Sequence, residues 1–180
     1  MRISDDRYSR DRLRLDLALR FIRHEARTHT IRTWTGLTDD RIRKLVRSYF
    51  GDENSRVTRH RGKSPRQIAY FLRTPRIQHE TTVLASLLCL FDVLPRETVP
   101  DPLRALPSVR RGELLCQAFE AYRTLIPDSQ ITFEHAVFLL MTLARGEELG
   151  LGRCINCGGL VVMDPQHSRQ ACCAHCAAAA

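Results

Sequence analysis

The chain has 180 residues, of which 43% are hydrophobic, so it can bury a core of its own, which excludes disorder throughout. Its net charge of +8 is uneven, because residues 1–76 hold 20 Lys or Arg against 9 Asp or Glu, whereas residues 77–180 hold 8 against 11. This asymmetry predicts an N-terminal half that faces a polyanion, with a solvated basic face as the alternative.

The apolar stretches do not indicate a membrane protein. Residues 83–94 are the most apolar, but Asp92 interrupts them and the stretch is too short to cross a bilayer. The first residues contain no apolar run of the kind that a signal peptide requires. With seven cysteines and no export signal, we expect a cytoplasmic protein with reduced thiols.

The N-terminal region is predicted to be helical. Apolar residues recur at steps of three and four over residues 11–29, and a second, shorter helix is expected over residues 31–35. Gly36 allows a sharp turn after it, and Thr38 is a good N-cap for a third helix. The two aspartates after Thr38 place negative charge where the helix dipole favours it.

A short helix, a glycine turn and a capped helix follow one another as in a helix-turn-helix motif, whose second helix enters the major groove of DNA. The buried stripe of this helix is expected at Ile42, Leu45, Val46 and Tyr49. Its outer face is basic, and the predicted DNA-binding residues are Arg41, Arg43, Lys44 and Arg47. Arg43 and Arg47 are one turn apart and share a face. Helix corners that never touch DNA have the same pattern, so that alternative stays open.

The middle of the chain is predicted to be a loop followed by helices. Residues 51–64 are polar and rich in arginine, which favours a loop or arm. Ser64 and Pro65 are expected to begin a helix that Pro75 ends. Further helices are predicted over residues 78–94, over residues 111–126, and from a Thr132 cap to about residue 148. Gly150 and Gly152 are expected to close the last of them.

The C-terminal region contains two Cys-x-x-Cys pairs separated by fifteen residues. This spacing is typical of one tetrahedral zinc held by four thiolates. The predicted ligands are Cys154, Cys157, Cys173 and Cys176. The short apolar run over residues 160–163, between the pairs, is predicted to be a strand. Four protein ligands leave no coordination position for water, so we expect a structural Zn²⁺, one per chain.

Other readings of the cysteines remain. A thioredoxin-like redox motif needs a single pair in a βαβ setting, and a disulfide framework needs an oxidising compartment. Cys172 is a second candidate next to Cys173, although Cys173 alone restores the two-residue spacing to Cys176. His167 and His175 are reserve ligands if one cysteine is displaced, with a solvated histidine as the alternative for each.

The remaining titratable residues do not form a catalytic set. The scattered histidines lack a nucleophile or carboxylate at a telling spacing, and no phosphate-binding glycine loop is present. We therefore do not expect an enzyme. A thiol-based enzyme or redox sensor stays as a rival interpretation of the cysteines.

Three stretches together resemble the FlhC family, the zinc-containing C subunit of the bacterial flagellar master transcriptional activator. They are residues 26–49 with their Gly36-Leu37-Thr38 turn, residues 118–123 (Ala-Phe-Glu-Ala-Tyr-Arg), and residues 150–176 with both cysteine pairs. The resemblance covers about residues 13–176. The arginine-rich residues 57–66 depart from the family pattern, which puts the promoter and the partner surface in question.

The resemblance implies a DNA-binding transcriptional activator of flagellar operons, whose four zinc ligands map onto the four cysteines given above. FlhC-like proteins assemble with FlhD as two C and four D chains and act on promoters together with RNA polymerase. We accordingly expect a mainly α fold, with an N-terminal helix-turn-helix-like segment and a small C-terminal four-cysteine zinc-binding lobe. Residues 1–76 are the predicted DNA-facing segment, 77–149 the helical core and subunit-interaction segment, and 150–180 the zinc-binding lobe. The alternative is a zinc-ribbon module that binds only protein.

Overall fold

The computed structural model of the chain describes residues 3–51, 57–58, 60, 62, 64–94, 107–166 and 172–178. The described part is mainly helical, as predicted. Its α-helices are α1 (Ile3–Arg23), α2 (Thr28–Thr35), α3 (Asp39–Phe50), α4 (Pro75–Leu90), α5 (Val109–Leu125), α6 (Phe133–Arg145) and α7 (Ala174–Ala178). The strands β1 (Gly150–Arg153) and β2 (Leu160–Met163) form a two-stranded antiparallel sheet after α6.

The chain divides into two compact units. Unit 1 comprises Met1–Ser64 and Pro107–Cys116, and unit 2 comprises Pro65–Leu106 and Gln117–Ala180. This division follows contacts within the structure. The three predicted segments (1–76, 77–149 and 150–180) are defined by expected function, so their boundaries stay predictions.

The core of unit 1 forms where α1 packs against α2. Leu17, Phe21 and Ile31 are fully or almost fully buried, and the Phe21 and Trp34 rings lie 6.0 Å apart at a tilt of 53°. Trp34 of α2 is 4% exposed, so its ring is buried beside Phe21 of α1. Burying a side chain of this size stabilises the fold by about 1.5 to 3 kcal/mol.

The first helix ends earlier than the periodicity predicts. It stops at Arg23, so the predicted continuation to residue 29 is wrong. Glu25 takes a left-handed conformation with φ of 60°. Its N–H donates to the Ile22 carbonyl, and the N–H of Ala26 donates to the Phe21 carbonyl, which are the two bonds of a Schellman cap. A sequence rule that looks for glycine at this position misses such an end.

The connection from α2 to α3 forms as predicted. Gly36 has φ of 70° and donates its N–H to the Arg32 carbonyl, which closes α2. Leu37 is buried, and the Thr38 hydroxyl accepts a hydrogen bond from the N–H of Arg41 at the start of α3. The two helices and their turn are therefore present, while their assignment as a DNA-binding helix-turn-helix motif stays a prediction.

The segment before α4 differs from the prediction. Residues 64–67 are not helical, and a 3-10 helix over Ile68–Leu72 follows them. Pro75 does not end a helix but begins α4, with Thr74 as its N-cap. The ring of proline fixes φ at a helical value and lacks an N–H that the first turn would leave unpaired, so a proline marks a helix start as readily as a stop.

Helix α4 is buried over most of its surface, in line with its apolar sequence. Leu84, Ala85 and Leu88 are fully buried, whereas Leu90 is 64% exposed. The helix ends at Leu90 rather than at residue 94, and Asp92 takes a left-handed φ of 56° in the turn that follows. Among the described helices, none is both long and apolar enough to cross a membrane.

A buried polar network lies within unit 2. Glu80 of α4 is 2% exposed, and its carboxylate accepts hydrogen bonds from Arg76 Nε and from the Ser129 hydroxyl, both at 2.8 Å. The Ser129 oxygen also contacts the Tyr122 hydroxyl and accepts from the N–H of Ile131. The turn between α5 and α6 is thereby attached to α4 through hydrogen-bonded, charge-assisted contacts.

Helix α6 leads into the sheet of the C-terminal lobe. Thr132 caps α6 as predicted, in a reciprocal capping box with His135. The helix ends at Gly146, whose φ is 69°, so the prediction that Gly150 and Gly152 close it is wrong. Those two glycines instead lie in β1 and pair with β2, the predicted strand, whose Val161 and Val162 are buried.

Candidate metal centre and nucleic-acid surface

Four sulfur atoms converge at the C-terminal lobe. The Sγ atoms of Cys154, Cys157, Cys173 and Cys176 all lie within 4.8 Å of one another. Zn–S bonds of about 2.3 Å at tetrahedral angles place neighbouring sulfurs about 3.8 Å apart. The Sγ atoms of Cys157 and Cys173 are 3.8 Å apart. The four predicted ligands are therefore brought together, at a separation that fits a tetrahedrally coordinated metal ion.

The first pair of cysteines lies on a tight turn between the two strands. The N–H of Cys154 donates to the Gly159 carbonyl at 2.8 Å, and the N–H of Gly158 donates to the Cys154 carbonyl at 2.9 Å. Gly158 has φ of 71°, a conformation that glycine adopts without strain. These bonds fold the chain back on itself, so that Cys154 and Cys157 face the same point.

The second pair is built on α7. Cys173 precedes this helix, and its carbonyl accepts the N–H of Ala177 at 2.9 Å. Its sulfur accepts the N–H of Cys176 at 3.3 Å, in the way that a side chain caps a helix. Cys176 follows within the first turn, which brings its sulfur back toward Cys173. The sequence spacing predicts the pair, but it does not reveal the helix that carries it.

Backbone amides surround the sulfur of Cys154. The N–H of Cys173 donates to it at 3.3 Å, and the N–H groups of Cys157 and Asn156 donate as well. These hydrogen bonds lower the pKa of the Cys154 thiol to about 5. Hydrogen bonding with the sulfurs of Cys173 and Cys157 raises the pKa of the Cys176 thiol. Without a metal, the cluster therefore favours a thiolate at Cys154 and a protonated thiol at Cys176.

The other candidate ligands that the structure describes, Cys172 and His175, are not members of this set. Cys172 is not one of the four converging cysteines, and its sulfur accepts a hydrogen bond from Asn156 Nδ2 at 3.6 Å. Burial is the main cause that raises the pKa of the Cys172 thiol. His175 is exposed on α7, and His167 lies outside the described residues. The choice of Cys173 over Cys172 from the spacing therefore agrees with the converging set.

The four predicted DNA-binding residues are all exposed on α3. They are Arg41, Arg43, Lys44 and Arg47. Arg43 pairs with Asp40 at 3.0 Å, and Arg41 lies 3.9 Å from a carboxylate oxygen of Asp11. Exposed pairs of this kind contribute little and exchange readily for other anions. Lys44 and Arg47 form no ion pair with any residue that the structure describes.

The opposite face of α3 is less buried than predicted. Ile42 is fully buried, but Leu45 and Val46 are only half-buried. Tyr49, which was expected in the buried stripe, is 65% exposed. The prediction of a buried stripe therefore holds for Ile42, is met only in part at Leu45 and Val46, and is wrong for Tyr49.

Two contacts near these sites could not be expected from the sequence. The donors to Cys154 are backbone groups, so no side-chain pattern reveals them. The Glu25 carboxylate binds the chain at Thr58 and His60, across more than thirty positions of sequence. A glutamate just after a helix is common, and only the left-handed conformation of Glu25 sets this one apart.

Comparison with known proteins found no protein-family model and no curated protein that matches the chain. The resemblance to the FlhC family therefore stays a prediction, carried by the residues quoted for it.

Proposed function

We propose that the four-cysteine cluster holds a structural Zn²⁺, one per chain. Four convergent thiol ligands suit a soft or borderline cation, and a fully protein-ligated tetrahedral set is typical of structural zinc. When bound, the ion supplies positive charge that stabilises the thiolates and joins the turn after β1 to α7. Other groups of the lobe position the ligands. Backbone N–H groups orient the sulfurs of Cys154 and Cys173, and Gly158 allows the turn that carries the first pair.

We further propose that α3 binds the phosphates and base edges of duplex DNA. The observation that carries this proposal is the exposure of four basic side chains on one helix, directly after the Gly36 turn. Arg43, Lys44 and Arg47 follow one another at helical spacings, so a polyanion can meet them together. Arginine fits phosphate and guanine by paired hydrogen bonds, and the flanking ion pairs are weak enough to be exchanged.

The larger role rests on the resemblance to the FlhC family. We propose that the chain is a cytoplasmic, non-enzymatic subunit of a transcriptional activator of flagellar operons. In this proposal it forms a hetero-oligomer with a FlhD-type partner, in the family's ratio of two C to four D chains, and recruits RNA polymerase to the promoter. The exposed basic surface of α3 and the four converging cysteines support it, because both features belong to the pattern of that family.

The proposed DNA surface is tested by the affinity for labelled duplex, measured by fluorescence anisotropy at several salt concentrations. We expect Arg43→Ala and Arg47→Ala to weaken binding, and each lost phosphate contact should reduce the slope of log K against log salt by about 1. Arg145→Ala is the control, because Arg145 is an exposed arginine on α6, in unit 2. Unchanged dissociation constants for both α3 variants would remove this helix from the DNA site.

A protein-binding zinc module is the second candidate, and one observation favours it. Ile155, at the tip of the first cysteine turn, is 65% exposed. An exposed apolar residue held on a rigid turn is a suitable contact for another protein. Filter binding with a promoter duplex and with random duplexes separates the two candidates, since a module that binds only protein retains neither duplex at low ionic strength.

A further inference from the structure

Glu25 occupies a position where glycine is common. It is the residue after the end of α1 that adopts the left-handed conformation, with φ of 60°. Side chains other than glycine and asparagine rarely adopt it, because Cβ then crowds the backbone. A glutamate in this place therefore suggests that its carboxylate has a role which glycine could not fill.

The carboxylate binds the chain that follows α3. One carboxylate oxygen accepts a hydrogen bond from the N–H of Thr58 at 3.0 Å. The other lies 2.9 Å from His60 Nε2, within hydrogen-bonding distance. Burial by itself would raise the pKa of Glu25, but the hydrogen bonds from Thr58 and His60 outweigh it and lower the pKa. The group is therefore a carboxylate at neutral pH, and both of its oxygens are engaged.

These contacts place the anchored chain beside α3. Val57 and Thr58 line a small crevice together with Ile22 of α1, Ile31 of α2 and Val46 of α3. Val57 is half-buried there, whereas Thr58 and His60 are exposed to solvent. The carboxylate thus holds a surface segment against the helices that carry the proposed DNA surface.

We propose that Glu25 is a positioning residue for duplex binding, which holds the chain at Thr58 and His60 beside α3 so that both meet the same polyanion. This inference rests on the proposed function of α3. The sequence interleaves the anchored residues with arginines at positions 56, 59 and 61, whose side chains lie outside the described residues. A segment that is held before binding loses less conformational entropy when DNA binds.

The charge of Glu25 makes the test decisive. Glu25→Gln removes a negative charge from a DNA-binding protein, and by long-range electrostatics alone it should tighten binding to duplex. If the carboxylate anchors the segment, the same change should instead weaken binding by about tenfold or more, which is the loss expected for one charge-assisted hydrogen bond. The two explanations therefore predict opposite signs.

Asp16→Asn is the matched control. Asp16 lies on α1 in the same unit, is exposed, and pairs only loosely with Arg12 at 3.8 Å. Asp16→Asn removes the same negative charge but leaves the contacts of Glu25 with Thr58 and His60 in place, so we expect unchanged or tighter binding to duplex. Glu25→Gly is the second anchor variant, because it relieves the left-handed backbone and keeps the fold even if Glu25→Gln does not.

The partnership with His60 gives a further readout. His60→Ala should weaken duplex binding on its own, and the double variant with Glu25→Gln should bind no more weakly than Glu25→Gln alone. Purely additive losses would contradict an anchor that acts through this pair. A merely structural role of Glu25 would lower the melting temperature of all these variants without this non-additivity in the dissociation constant.

The outcomes separate this inference from the proposed function. A wild-type chain that binds no duplex at low salt overturns both. A wild-type chain that binds duplex, with Glu25→Gln and Glu25→Gly binding equally well or more tightly, overturns only the role of Glu25. Weaker binding by both Glu25 variants, beside an unweakened Asp16→Asn, supports it.

Discussion

Ser129 and Glu80 lie 49 positions apart in the chain, and the Ser129 hydroxyl donates a hydrogen bond to Glu80 Oε2 at 2.8 Å. Arg76 donates to the other carboxylate oxygen, and the N–H of Gln130 donates as well. Burial alone would raise the pKa of Glu80, but these donors outweigh it and hold the pKa below its ordinary value. Through these hydrogen bonds the buried carboxylate holds α4 and the turn at Ser129 together within unit 2.

We expect Glu80→Gln to destabilise the protein by about 1.5 to 3 kcal/mol at pH 7, because the amide presents a donor to groups that are themselves donors. The folded-state pKa is below the unfolded one, so the carboxylate stabilises the fold above about pH 4.3 and this contribution is lost as the pH falls through the folded value. Urea unfolding should therefore show a larger difference in stability between wild type and variant at pH 7 than at pH 3.

The control for this prediction is Glu148→Gln, since Glu148 is an exposed glutamate of the same unit. It should change the free energy of unfolding by less than about 0.5 kcal/mol. An equal loss of stability for Glu80→Gln at both pH values would show that the side chain acts through packing rather than through its charge.

The sequence predicts the parts of this fold that depend on neighbouring residues. Gly36 and Thr38 mark the turn before α3 because a left-handed glycine and a hydroxyl cap act within a few residues. The spacing of the cysteines likewise predicts which four of them converge. The network of Glu80 and Ser129 joins residues 49 positions apart, and no local pattern indicates which carboxylate a serine will meet.

The errors also have physical causes. Glu25 and Asp92 adopt the left-handed conformation without being glycine, so both helix ends were placed too late. Pro75 is predicted to end a helix, but it begins α4, which Thr74 caps. Gly150 and Gly152 lie in β1 and pair with Met163 and Val161 of β2, a contact that the sequence around the glycines does not indicate. Residue type alone does not decide these positions, because hydrogen bonds at the helix ends, the Thr74 cap and the pairing with β2 select the conformation.

Helix α6 offers a test of the local interactions. Thr132→Ala should destabilise the protein by about 1 kcal/mol, because the N–H of His135 then loses the Thr132 hydroxyl as its acceptor. In a protein of this size that loss corresponds to a fall of about 2 to 4 °C in the melting temperature, which circular dichroism can measure. Thr132→Ser keeps the hydroxyl and should melt within a degree or so of wild type. If the alanine variant had the melting temperature of the wild type, the cap would not contribute to stability.

The proposed zinc site predicts different metal contents for variants of Cys154 and Cys172. Cys154→Ser should lose the metal and leave the lobe sensitive to protease, because a segment this small depends on its ligands for stability. Cys172→Ser should keep one zinc per chain, since Cys172 is outside the converging set. Elemental analysis of both purified variants measures this. Zinc retained by Cys154→Ser, or lost by Cys172→Ser, would contradict the assigned ligands.

Substitutions of Gly158, in the turn of the first cysteine pair, test the effect of backbone strain without steric crowding. Its φ is 71°, and a Cβ added there would meet no atom within 4 Å, so an alanine is opposed only by the left-handed backbone. That conformation costs a non-glycine residue about 1 to 2 kcal/mol, which corresponds to about a tenfold weaker hold on zinc in competition with a chelator. Asparagine tolerates the left-handed region better than alanine, so Gly158→Asn should fall between alanine and wild type. If alanine and asparagine weakened zinc binding equally, the loss would come from the presence of a side chain. The left-handed φ would then not be the reason that this turn requires glycine.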